Sequence, residues 1–85
     1  MEAIKDQYRK EGKFTFEQMS EYFLRPSDDV LNMIVESDDF NFRKACLVAL
    51  FDMNTNDIIL TNKDFIRNPV INNTLKGMLL VNRND

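Results

Sequence analysis

The carboxylate side chains are the groups of this sequence whose types and spacing could support chemistry. Glu17 and Glu21 stand four residues apart, and Asp38 and Asp39 are adjacent, so each pair has the composition of a two-carboxylate hydrolase site. General acid–base catalysis requires one carboxyl group to lie in an apolar pocket that raises its pKa. Both pairs fall on predicted outward faces or helix starts, where water and backbone amides favour the ionised form. We therefore predict that the protein is not an enzyme.

Residue types that are absent or rare exclude further kinds of site. The 85 residues contain no histidine, which is the commonest general base and metal ligand. The two glycines, Gly12 and Gly77, are too far apart to build a glycine-rich phosphate loop. The single cysteine, Cys46, cannot form an internal disulfide, and its apolar neighbours predict a buried hydrophobic role. We expect no cofactor, no metal and a reducing, cytoplasmic location.

Asp52, Asn54 and Asn56 alternate along the chain, and this segment resembles the first half of an EF-hand calcium-binding loop. The resemblance implies oxygen ligands at these three positions. The sequence then departs from the family pattern, because Asp57 stands where the loop requires glycine and Lys63 stands where it requires a bidentate glutamate. We interpret the segment as a polar loop that ends a helix and binds no metal.

The charge of the chain is unevenly distributed. Residues 14–40 contain one basic and seven acidic side chains, a local net charge of −6, whereas the whole chain has a net charge of −3. A concentrated negative field attracts cationic partners and speeds their encounter. The sequence therefore predicts that this stretch binds another protein with a basic surface. The predicted partner-binding residues are Glu17, Glu21, Tyr22, Asp28, Asp29 and Asp38.

Residues 15–34 resemble a helix-turn-helix. Met19 occupies the usual apolar position of the first helix, and Ser20 occupies the small-residue position beside it. Val30 and Ile34 stand where the second helix packs back against the first. The resemblance implies that the second helix would enter the major groove of DNA.

The same segment departs from the helix-turn-helix pattern in its turn and in its charge. Leu24-Arg25-Pro26 replaces the turn that often contains glycine, and the second helix opens with Asp28 and Asp29. Carboxylates at this position repel the phosphate backbone, on which most DNA affinity depends. The charge therefore disfavours nucleic acid, and a helix-turn-helix DNA-binding regulator is the alternative function.

The elements that would position these residues are predicted to be helices. An uninterrupted run of seven apolar residues, 45–51, is too short to span a bilayer. It indicates a central helix over about residues 40–52 that is buried on most of its circumference. Residues 57–60 are predicted to be extended. Gly12 marks the end of a first helix over residues 2–11. The other helices are marked by their starts, which are a Thr15/Gln18 capping box, the cap Ser27, and Asn68-Pro69 before a last helix that reaches about residue 81.

These signals predict an all-α fold, a compact bundle of five or six short helices around the central helix, in a single domain covering residues 1–85. Gly77 inside the last helix predicts a close packing contact, since glycine there costs helix stability. The side chains predicted to face inward are Phe16, Met19 and Phe23 in the second helix, Val30, Leu31 and Ile34 in the third, and Val70, Ile71, Leu75, Met78 and Leu79 in the last.

Together these features predict a small protein-binding regulator or stoichiometric inhibitor that acts through an acidic helical face. Small acidic helical immunity proteins and phage-encoded regulators are similar in size and charge, a likeness of class that identifies no family. Self-association is a further possibility, since the acidic stretch of one copy could meet the basic end of another in a homodimer.

Overall fold

The computed structural model describes residues 2–60, 66 and 68–83. These residues form helices and turns, with no strand among them, so the predicted all-α bundle is confirmed. The elements in chain order are α1 (Glu2–Glu11), α2 (Phe16–Gln18), a π-helical turn (Met19–Phe23), α3 (Asp28–Glu36), α4 (Phe40–Leu60) and α5 (Pro69–Arg83).

The end of α1 and the starts of α2, α3 and α5 lie where the local signals predict them. Gly12 ends α1 in the left-handed conformation (φ +73°), and its N–H donates to the Tyr8 carbonyl at 2.7 Å. The Thr15 hydroxyl accepts from the Gln18 N–H at 3.1 Å, and the Gln18 side chain accepts from the Thr15 N–H at 3.1 Å. Both halves of the predicted capping box are therefore formed.

The two later caps are also confirmed. The Ser27 hydroxyl accepts from the Val30 N–H at 3.3 Å at the start of α3. The Asn68 side-chain oxygen accepts from the N–H groups of Val70 and Ile71 at 3.0 and 3.2 Å at the start of α5. Each bond satisfies a backbone donor that the first turn of a helix leaves without an intrahelical partner.

Helix α4 is the centre of the bundle, because it packs against α1, the π-helical turn, α3 and α5. Cys46, Ala49 and Leu50 are buried, as the apolar run predicts. Burial raises the pKa of the Cys46 thiol to about 12, opposed by the nearby charge of Lys5, so the thiol stays protonated at neutral pH. Val48 in the same run is 40% exposed, so one side of α4 faces outward.

Helix α4 also continues to Leu60, beyond the predicted end near residue 52. The prediction of an extended segment at 57–60 is wrong. Asn54 has non-helical dihedral angles (φ −126°, ψ 18°), so the helix is kinked there and then resumes. The described residues offer no strand for this segment to pair with, whereas in the helix its N–H groups can donate to carbonyls of the preceding turn, despite its two isoleucines.

Four aromatic rings fill the core between α1, α4 and the π-helical turn. The ring centroid of Phe14 lies 5.0 Å from that of Phe23 and 5.1 Å from that of Tyr8. Phe42 of α4 completes the cluster, with its centroid 5.7 Å from that of Tyr8 in an edge-to-face arrangement. Such pairs stabilise a core beyond the area they bury. These four aromatic side chains therefore pack in the core and are not available as surface anchors for a partner.

Helix α5 packs through Ile71 and Leu75, which are buried as predicted. Val70 is 56% exposed, so its predicted inward orientation is wrong. The reason is the helical period: Val70 shares a face with the exposed Thr74 four residues later, whose hydroxyl donates to the Val70 carbonyl at 2.8 Å. Met78 and Leu79 are partly buried against the core.

Gly77 has no packing neighbour that would require glycine. Apart from the backbone of its own helix, a Cβ atom built there would meet no heavy atom of a described residue within 4 Å, so the predicted close contact is wrong. We expect Gly77→Ala to raise the free energy of unfolding by about 0.5–1 kcal/mol, since alanine is the better helix former and restricts the unfolded chain. Gly12→Ala should do the opposite, because its φ of +73° strains any side chain. Urea denaturation of both variants checks this, and a destabilised Gly77→Ala would contradict it.

Candidate functional site

The helix that carries the first predicted site residues changes its pitch. It begins as α2 and widens into the π-helical turn. In a regular α-helix Phe16 and Phe23, seven residues apart, would share one face. A π turn closes i→i+5 hydrogen bonds and so rotates less per residue, which displaces the side chains that follow it. Phe23 is therefore fully buried while Phe16 is 76% exposed, and the prediction that Phe16 faces inward is wrong.

The exposed side of this helix combines carboxylate and apolar side chains. Glu17 and Glu21 are both exposed, and Leu24 at the end of the helix is 43% exposed. These three residues and Phe16 lie within nine consecutive positions of the chain, 16–24, and we call the four exposed side chains the acidic–apolar face (Phe16, Glu17, Glu21 and Leu24). Within the described part of the chain, neither glutamate forms an ion pair. The face therefore combines an exposed aromatic side chain with two exposed carboxylates that form no ion pair with a described residue.

A buried amide holds the end of this helix against α4. The Asn54 side-chain amide donates to the Phe23 carbonyl at 2.7 Å and to the Leu50 carbonyl at 2.8 Å. Its oxygen lies 3.4 Å from the N–H of Arg25, which adopts a left-handed backbone (φ +57°). Asn54 thus satisfies backbone groups on both sides of the turn. At the other end of the helix, the Gln18 side chain hydrogen-bonds to Gln7 of α1.

This role of Asn54 corrects the interpretation of residues 52–56 as a loop. The segment is part of α4, and the Asn54 side chain points into the core, while Asp52 and Asn56 are exposed. The three oxygen donors therefore do not converge, and Lys63 lies outside the described residues. Over residues 2–60 and 68–83, no three acidic, cysteine or histidine side chains are grouped to hold a metal ion.

Asp28 and Asp29 lie in the first turn of α3, directly after the Ser27 cap. Both are exposed, and their carboxylates lie at the positive end of the helix dipole. Tyr22 is half-buried, with its ring 6.5 Å from that of Phe23, so much of it belongs to the edge of the core. Phe16 is the most exposed aromatic side chain in the part of the acidic stretch that precedes α3. The helical period of the sequence did not predict this exposure.

Asp38 lies in the turn between α3 and α4, in a different electrostatic setting. It is exposed, but a small pocket of about 200 Å³ beside it is also lined by Lys5 and Arg9 of α1. The neighbouring Asp39 accepts from the Phe42 N–H at 3.2 Å and so caps α4. Basic side chains from α1 therefore face this part of the acidic stretch, whereas no described residue forms an ion pair with Asp28 or Asp29.

Residues 15–34 form two helices joined by a turn, as the helix-turn-helix resemblance implies for shape. Val30 and Ile34 are buried, and Met19 is partly buried against the core. Arg25 takes the left-handed conformation that glycine often supplies in such a turn. The second helix nevertheless begins with the exposed carboxylates of Asp28 and Asp29, which repel a phosphate backbone.

No protein-family model, curated protein or solved structure matches this chain. Among the described helices, none has both the length and the apolar character needed to cross a bilayer. The functional argument therefore depends on the geometry and charge of the chain itself.

Proposed function

We propose that this protein is a small non-catalytic regulator or stoichiometric inhibitor that binds a cationic partner protein in the cytoplasm through its acidic–apolar face. The observation that supports this proposal best is the exposure of the Phe16 ring beside two carboxylates that have no ion-pair partner among the described residues. The segment that carries them runs from α2 into the π-helical turn, which contains Glu21, and such turns inside helices are often found at functional sites.

The composition of the face resembles that of a binding hot spot. Interfaces derive much of their affinity from a few aromatic anchors that are desolvated on binding, surrounded by polar groups that exclude water. Phe16 would supply the anchor, and Leu24 would add apolar contact. Glu17 and Glu21 would supply the negative field that steers a cationic partner during encounter.

The aspartates of α3 extend the negative field beyond this face. Asp28 and Asp29 are exposed and carry charge of the same sign. The complementary partner surface would be an apolar pocket bordered by lysine or arginine side chains. Asp38 would contribute less to binding than the sequence predicts, because Lys5 and Arg9 lie beside it.

Affinity capture from the lysate of the native host, followed by association kinetics with the captured protein, tests this proposal. We expect E17K/E21K to slow association about 10-fold at low salt, and to differ less from the wild type at high salt. The matched control is E11K/E36K, which changes the net charge equally but alters exposed carboxylates outside the acidic–apolar face that form no ion pair with a described residue. Equal slowing by both variants, or none by E17K/E21K, would contradict the proposal.

The same variants distinguish the alternative function, DNA binding. A DNA-binding protein gains affinity when carboxylates near its contact surface become lysines, because phosphate contacts dominate affinity. Retardation of mixed genomic fragments by the wild type, strengthened in E17K/E21K and without any captured protein, would favour the helix-turn-helix alternative.

A further inference from the structure

A second open surface lies between α4 and α5. It is a groove of about 470 Å³ whose lining includes the apolar side chains Phe40, Leu47, Val48 and Met78. Phe40 is 74% exposed and Val48 is 40% exposed, so apolar surface extends to the rim of the groove. Exposing an aromatic ring to water is unfavourable in free energy, and a second surface that covered the rim would remove this penalty.

The charge of this groove is positive. Arg43 and Lys44 are the charged residues among the described side chains that line it, and no acidic side chain lines it with them. Neither forms an ion pair with another described residue. The groove therefore fits an apolar surface that carries carboxylates. The acidic–apolar face of this same chain has that composition.

We propose that the groove receives the acidic–apolar face of a second copy of this chain. Phe16 and Leu24 of one copy would cover the apolar rim of the other, and Glu17 and Glu21 would approach Arg43 and Lys44. The inference uses the same face as the proposed function but does not require the cationic partner to exist.

Charge decides between the possible arrangements of two copies. A symmetric contact of groove with groove would place four cationic side chains together, and a symmetric contact of the two acidic–apolar faces would place four carboxylates together. Like charges in an interface oppose association, whereas the head-to-tail arrangement pairs opposite charges. A head-to-tail contact leaves one groove and one face open, so assembly grows with concentration.

Sharing one face between two occupants has a regulatory consequence. A cationic partner that binds the acidic–apolar face removes it from the groove of the next copy. The two binding events compete for the same face. Self-association would therefore keep this face covered when the partner is absent, and binding of the partner would dissociate the assembly by mass action.

Sedimentation velocity at low salt across a concentration series tests the proposal. We expect the wild type to associate, and expect both R43E/K44E and E17K/E21K to raise the dissociation constant roughly 10-fold or more. Mixing the two variants should restore association that grows with concentration, because the wild-type face of R43E/K44E fits the wild-type groove of E17K/E21K and the two charge-reversed surfaces attract each other. The chain carrying all four substitutions should associate again, with its charges exchanged.

Several outcomes would overturn the inference. These are a wild type that stays monomeric up to roughly 1 mM at low salt, R43E/K44E associating as the wild type does, and a mixture that does not associate. Binding of the monomeric wild type to phosphatidylglycerol vesicles, lost in R43E/K44E, would assign the groove to an anionic membrane instead. Since R43E/K44E keeps the acidic–apolar face, it should still bind a captured partner. Failed capture with a successful mixture would therefore contradict the proposed function alone.

Discussion

Replacing Asn54 with alanine should lower the free energy of unfolding by about 2–4 kcal/mol, the largest expected effect of a single polar substitution in this protein. The side chain is buried and donates to the carbonyls of Phe23 and Leu50 at 2.7 and 2.8 Å. Alanine would leave the Phe23 carbonyl and the Arg25 N–H without their partner inside the protein. An unsatisfied buried polar group costs more than the net gain of the bond it loses.

Urea denaturation followed by circular dichroism measures this effect. The matched control is Asn56→Ala, which removes the same amide from an exposed position of the same helix and should change stability by less than about 0.5 kcal/mol. Equal and small effects of both substitutions would show that Asn54 does not hold the π-helical turn against α4. Asn54→Asp should also destabilise, because a carboxylate cannot donate to the two carbonyls.

Replacing Phe16 with alanine should weaken binding of the captured partner by about 2 kcal/mol, roughly a 30-fold rise in the dissociation constant. The loss should arise mainly from faster dissociation, since short-range apolar contact affects residence time more than encounter. Stability should change little, because the ring is 76% exposed in the isolated protein. Surface plasmon resonance with the captured partner and urea denaturation together separate binding from folding.

Phe40 provides a close control for this experiment. Its ring is 74% exposed, nearly the same as that of Phe16, but it lies at the groove between α4 and α5. Phe40→Ala should leave partner binding unchanged and weaken self-association. If Phe40→Ala weakened partner binding as much as Phe16→Ala, the assignment of the partner to the acidic–apolar face would be wrong.

The end of α1 and the starts of α2, α3 and α5 could be predicted from the sequence because their causes are local. Thr15 with Gln18, Ser27, and Asn68 with Pro69 act on backbone groups two or three residues away. Gly12 likewise ends α1 through its own dihedral angle. All residues that such a signal needs lie within a short window of sequence. The burial of the apolar run in α4 likewise follows from the composition of that run.

The orientation of Phe16 could not be predicted in the same way. Its exposure depends on the π-helical turn, and hydrogen bonds from Asn54, which lies 31 residues after Phe23, hold the end of that turn. A helical period applied to the sequence alone therefore assigns Phe16 to the wrong face. The Asn54 error has the same origin: its neighbours resemble a loop, whereas its bonding partners lie in another helix.

The charge prediction was incomplete for a similar reason. Net charge over residues 14–40 shows that acidic side chains are concentrated in the chain, but not which basic side chains face them in space. Lys5 and Arg9 lie beside Asp38, and no described residue pairs with Glu17 or Glu21. We therefore assign the proposed binding surface to the first half of the stretch, where Phe16 and Leu24 are exposed near Glu17 and Glu21.

The most direct test of the central claim is the map of amide chemical-shift changes in the isotope-labelled protein upon addition of the captured partner. The account predicts that the largest changes fall on residues 16–24, with smaller changes at Asp28 and Asp29 and none at the groove residues Arg43 and Lys44. Changes centred on the groove, or on the corner formed by Lys5, Arg9 and Asp38, with residues 16–24 unaffected, would contradict it.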